Sequence, residues 1–168
     1  MAKYLIDTEA GTCVPYPIAH KSPVELMEQD YGAQEWDDTV EKIQKWYYNG
    51  KSYHVSWCAS ALSYYLYLAG LTISKACNVF KLMQNCKDSG IGTFYDKDNL
   101  PDTIKRGDIL FWLWKGDTMT AASSKHCGFC TISTEGEKIA CIGGNQSDKI
   151  CTKNYNREYL YAILRLED

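Results

Sequence analysis

The sequence predicts an α+β fold in which helices come first and an antiparallel sheet follows. Three observations carry this. Apolar residues recur at helical spacing in several stretches before Gly92, and after it the chain changes to short apolar runs parted by turn residues. Those runs lie too close together for the dozen-residue crossovers of a parallel sheet, so the sheet is expected to be antiparallel.

The first helix is marked by Ser22-Pro23-Val24-Glu25, where Ser caps, Pro suits the first turn and Glu completes a capping box; it is expected over about 23–31. Asp37 and Asp38 place negative charge at the start of a second helix, about 37–48, in which Val40, Ile43, Trp46 and Tyr47 keep the period until Asn49-Gly50 ends it. Cys58, Ala61, Leu62, Tyr65, Leu66 and Ala69 share one face of a third helix, 57–69, stopped by Gly70. Ser74 opens a fourth, through Val79, Leu82 and Met83 to about Lys87, and Asp88-Ser89-Gly90 terminates it. About five strands follow, at 108–114, 127–133, 138–142, 149–155 and 161–166, with Glu135-Gly136 and Gly143-Gly144 as punctuation. No repeat or linker divides the 168 residues, which predicts a single domain, with residues 1–50 as an acidic, helical extension packed on it.

Charge narrows the function classes. The net charge is −3, from 18 Lys and Arg against 21 Asp and Glu, and the first fifty residues alone carry −5. A chain that tracks phosphates needs a basic excess, so no nucleic-acid partner is expected. No apolar run approaches the ~18 residues of a membrane span, and the opening MAKYLIDTEAGTC has no apolar h-region. The expectation is a protein made in the cytoplasm without a signal peptide and not inserted in a membrane.

Eight cysteines amount to about 5% of the chain, below the ~8–10% of a disulfide scaffold. Cys13, Cys77, Cys86, Cys127, Cys130, Cys141 and Cys151 are read as reduced packing residues. Cys58 differs, because the first turn of a helix offers unpaired N–H groups and a dipole that favour a thiolate, although simple burial beside Leu62 and Tyr65 fits the position as well. A thiolate nucleophile needs a base, and the chain has only His20, His54 and His126. His20 sits in a loop and His54 precedes the third helix. His126 heads a strand after the turn-rich 121–124 and can face a helix start across a cleft, and Asn145, after Gly143-Gly144, is placed to orient it. A solvated His126 and a turn-forming Asn145 fit the same spacing.

Rival chemistries fit less well. Cys127-Gly128-Phe129-Cys130 is a C-x-x-C, but on a strand its two thiols point to opposite faces, which defeats both a disulfide oxidoreductase and a zinc site with His126. Asp96, Asp98 and Asp102 form an acidic loop whose oxygens suit calcium in principle, but a solvated surface loop is the expected reading. No metal and no cofactor is expected.

Four blocks stand in order along the chain: Ser56-Trp57-Cys58-Ala59-Ser60-Ala61 ahead of a helix, Arg106-Gly107-Asp108-Ile109-Leu110-Phe111, His126-Cys127-Gly128-Phe129, and Gly143-Gly144-Asn145-Gln146-Ser147. Together, over roughly residues 50–166, they resemble the CHAP family of cysteine, histidine-dependent amidohydrolases/peptidases, in the NlpC-like branch of papain-like hydrolases. The resemblance implies a papain-like arrangement and hydrolysis of amide bonds in bacterial peptidoglycan, as amidase or endopeptidase. It makes Cys58 the nucleophile, His126 the base and later the acid, and Asn145 the orienting residue. There are departures: many members have Pro where this chain has Ser56, many have Val near the His-X-Gly where it has Cys127 and Phe129, and some place Glu where it has Gly143. The Cys58 N–H is expected to supply one oxyanion donor, with Ser52 or Tyr53 as candidates for the second. Substrate is expected in a groove bordered by Trp57, side chains of 47–53 including Tyr53, and the turn before His126, though such aromatics equally suit a core. An endolysin-type enzyme released by phage lysis, or an effector with dedicated export and an immunity or delivery partner, fits this reading. A noncatalytic binding module on the same fold is the alternative.

Overall fold

A computed structural model describes residues 4–7, 12–15, 21–53, 55–120 and 125–167. His20, His54, the turn at 121–124 and the side chain of Cys13 lie outside the described residues. Strands β1 (Tyr4–Asp7) and β2 (Thr12–Pro15) form an antiparallel hairpin ahead of the helices. These strands precede the two helices expected in the first fifty residues.

Local chemistry sets the helix starts. Helix α1 (Pro23–Gln29) opens on the expected capping box: Glu25 N–H donates to the Ser22 hydroxyl and the Ser22 N–H donates to the Glu25 carboxylate. In α2 (Asp38–Tyr47) the Asp37 carboxylate accepts from the N–H groups of Thr39 and Val40. Helix α3 (Cys58–Leu68) is buried on every side, between α1 and α2 and the sheet. Helix α4 (Val79–Asp88) begins at Asn78, whose side chain accepts from Lys81 N–H, and not at Ser74. The intervening stretch is held extended because the buried Ser63 hydroxyl donates to Ala76 O and accepts from Ala76 N–H, both at 3.1 Å.

The sheet runs β3-β8-β4-β5-β6-β7, antiparallel at every pairing, from β3 (Thr93–Asp96), β4 (Ile109–Leu113), β5 (Lys125–Cys130), β6 (Lys138–Gly143), β7 (Cys151–Asn156) and β8 (Leu160–Arg165). It has six strands where about five were expected. The extra one, β3, is four residues long, shows no alternation, and gains its partner only because β8 returns beside it. Side chains alternate across the sheet. Ile109, Phe111, Cys127, Phe129, Ile142, Ala162 and Leu164 pack with the helices, while Leu110, Trp112, Cys130, Cys141 and Ile163 form a second core behind, with Trp114, Tyr155 and Tyr159 against it. Val24, Leu26, Met27, Val40 and Ile43 are in the first core, so the acidic N-terminal helices complete it.

Two ion pairs tie the layers. Arg165 binds the carboxylate of Asp108, 2% exposed, at 2.7 and 2.9 Å and so pins β8 to the start of β4; Arg106 holds Glu28 of α1 at 2.6 Å through both nitrogens. Among the described residues no helix is long and apolar enough to cross a membrane.

Candidate active site

The site lies where α3 begins. Trp57 is the N-cap of α3 and makes no side-chain capping bond, so no side chain competes with an anion for the first helical N–H groups. Cys58 is the first helical residue and is 3% exposed. Its thiol is held well below the ordinary range. The Cys127 thiol, hydrogen-bonding to it, is the largest cause; burial opposes this, and the His126 imidazole and the Ser56 hydroxyl lower it further. Four other buried thiols go the opposite way. Burial pushes Cys86 and Cys141 up to about 12 and Cys130 to about 11, and burial with the neighbouring Cys58 raises Cys127 well above the ordinary value. Of these five thiols Cys58 alone is held low.

His126 is the second residue of β5, opposite Trp112 of β4, and is 7% exposed. Its ring meets the edge of Tyr155, centroids 5.8 Å apart, and its Nε2 is buried with no hydrogen-bond partner. Gly143, the last residue of β6, makes the room for it: a Cβ there would stand 2.8 Å from Nε2, 3.2 Å from Cε1 and 3.0 Å from the Cys127 carbonyl.

Asn145 also reaches the site, but not the histidine. Its Nδ2 donates to the Ser56 hydroxyl at 3.3 Å, and Ser56 Oγ lies 3.9 Å from Cys58 Sγ. The turn carrying it is bolted to α3, since a Cβ on Gly144 would stand 2.6 Å from the Trp57 ring and 2.7 Å from Ala61 Cβ. Asn145, Ser147 and Asp148 all take positive φ, from 55° to 58°, which Asn and Asp tolerate best. Buried Gln146 locks the turn: its amide donates to the carbonyls of Cys141 and Cys151, and its Oε1 accepts from Tyr155 OH at 2.7 Å.

No family model matches the chain, and no curated protein matches it either.

Four expectations about neighbouring residues are corrected. Trp57 is 1% exposed, so it supports the Gly143-Gly144 turn and presents no face to a substrate. The Ser52 hydroxyl is turned to Glu41 of α2 at 3.0 Å, away from an oxyanion role. Cys77 is exposed and not packed, and Cys127 does more than pack. Tyr53, 47% exposed, stacks edge-on with Tyr48 at the end of an aromatic row that runs back to Trp46. Cys127 and Cys130 fall in the two separate cores, as strand alternation required. Among the described residues no group of three or more His, Cys, Asp or Glu could hold a metal ion, and the Asp96 carboxylate accepts from Asp98 N–H and the Asn99 amide of its own loop.

Sequence reasoning missed Ser56 as a working residue and gave no role to Gly143 or Cys127. A serine two positions before a cysteine carries no signal by itself; it matters only because a turn ninety residues later docks on it.

Proposed function

We propose that the protein is a cysteine hydrolase that cleaves amide bonds of bacterial peptidoglycan, as an amidase or endopeptidase. The observation that carries the reading is a thiol with a depressed pKa, at the uncapped start of a buried helix, beside an imidazole from the neighbouring strand. The CHAP-like order of motifs supplies the substrate class.

In this mechanism the Cys58 thiolate attacks the carbonyl carbon, and the negative charge passes from sulfur to the carbonyl oxygen, where the N–H groups of the first turn of α3 receive it. His126 gives its proton to the departing amine, leaving a thioester. It then takes a proton from water, whose oxygen attacks the thioester and releases the carboxylic acid and the thiol. Acting on a cell wall calls for phage-type release or dedicated export, with an immunity or delivery partner in the second case.

The low exposure of Cys58 and His126 favours one second reading, a noncatalytic module that binds the wall or a protein. Digestion of purified peptidoglycan separates the two. Mass spectrometry should find new amine ends that identify the cleaved amide, and Cys58→Ala, folded by thermal melting, should produce none. Equal cleavage by that variant refutes the mechanism; binding without new ends from either protein refutes the enzyme.

A further inference from the structure

We propose that Ser56 is a catalytic residue that holds the Cys58 thiolate, and that Asn145 is a positioning residue acting through Ser56 and not through His126. The proposal rests on the reading of Cys58 as a nucleophile and adds to it a residue that helps hold the sulfur ionised and in place.

Three geometric facts converge. Asn145 Nδ2 is 3.3 Å from Ser56 Oγ, Ser56 Oγ is 3.9 Å from Cys58 Sγ, and His126 Nε2 has no partner at all. An amide nitrogen only donates, so it occupies a lone pair of the serine oxygen and leaves the hydroxyl proton free. The sulfur is the acceptor in reach of that proton. With the amide flipped, its oxygen would take the serine proton and turn a lone pair toward the sulfur, an arrangement that repels a thiolate. The chain amide to hydroxyl to sulfur is therefore the one suited to the ionised nucleophile, and each link polarises the next.

The fold fixes this chain and leaves an Asn145–His126 pair unmade. Gly144 has no room to leave Trp57 and Ala61, Gln146 is tied by three hydrogen bonds on the other side, and Asn145 between them holds φ of 58°. Its side chain thus descends on the residue before the N-cap. Pro at position 56, as in many CHAP members, would leave no hydroxyl there. When the thiolate bonds the carbonyl carbon it loses its charge, and the serine proton is released from it as charge appears on the carbonyl oxygen.

The test is the pH profile of iodoacetamide alkylation at Cys58, read by mass spectrometry on the tryptic fragment 52–75, in which Cys58 is the one cysteine. It needs no substrate. Ser56→Ala should move the profile up, by less than Cys127→Ala moves it, the loss expected of one long hydrogen bond to a charged group. Asn145→Ala should move it the same way by less, and should add nothing in the Ser56→Ala background. Ser56→Thr should restore the wild-type profile. An unchanged profile in Ser56→Ala, a further shift when Asn145→Ala is added, or no restoration by Thr each overturns the proposal. A wild-type profile at the ordinary ~8.5 refutes instead the thiolate on which the whole site reading stands.

Discussion

Gly143→Ala tests the seating of His126 directly. Gly143 is not in the positive-φ region, so alanine brings no backbone strain, and the whole effect comes from one methyl group. That methyl would stand 2.8 Å from His126 Nε2 and 3.0 Å from the Cys127 carbonyl, against about 3.4 Å for ordinary contact. The carbonyl belongs to the β5 backbone, next to the strand that would be pushed, so the imidazole must give by about 0.6 Å or the end of β6 must shift. Overpacking of this kind costs about 1–3 kcal/mol. For a chain of this length each kcal/mol lowers Tm by roughly 2–4 °C, so melting should fall by roughly 2–12 °C. The chemical effect should be larger, because a misplacement near 1 Å can cost on the order of 100-fold in rate. Alkylation of Cys58 should shift toward higher pH as His126 moves off, and hydrolysis should drop with it. In a His126→Ala background two of the three close contacts vanish, so adding Gly143→Ala should cost less stability than it does alone. A Gly143→Ala protein with wild-type melting and wild-type alkylation would show that the imidazole does not rest against residue 143, and the assignment of His126 as base would lose its geometry.

Cys127→Ala should raise the Cys58 pKa, by roughly one pH unit or more, because it removes the largest of the groups that stabilise the thiolate; Cys127→Ser keeps a donor and should preserve the low-pH alkylation. Identical profiles for the two variants would mean that contact between the thiols is not what lowers Cys58. Arg165→Met should strip the buried Asp108 carboxylate of its partner at a cost of about 3 kcal/mol, a fall in Tm of roughly 6–12 °C. Scanning calorimetry checks this, and a loss under 2 °C would show that the pair is screened by solvent.

The parts of the fold that were legible in the sequence are those decided by neighbours in the chain. The Ser22–Glu25 box and the negative charge at the start of α2 each depend on residues within a few positions and stand where they were expected, while β5 begins two residues earlier and ends three earlier than its apolar run suggested. Strand β3 was not legible because Thr93–Asp96 has no strand pattern of its own and is strand only by pairing with β8. The site divides in the same way. The special position of Cys58 follows from the helix start, and His126 from the shortage of histidines. The partner of Asn145 and the burial of Trp57 both depend on a glycine turn pressed onto α3, which no local pattern announces. Trp57 was read as a groove residue because a tryptophan beside a reactive cysteine has the same composition whether it faces solvent or core.

The strand order has a consequence for how the molecule can come into being. Strand β8, the last of the sheet to leave the ribosome, is not at an edge but lies between β3 and β4, whose pairing partners it completes. Until residues 160–165 are delivered, β3 has no neighbour, and the buried Asp108 carboxylate waits for Arg165. Closure of the sheet therefore spans a long loop, with its entropic cost met in one step when β8 pairs.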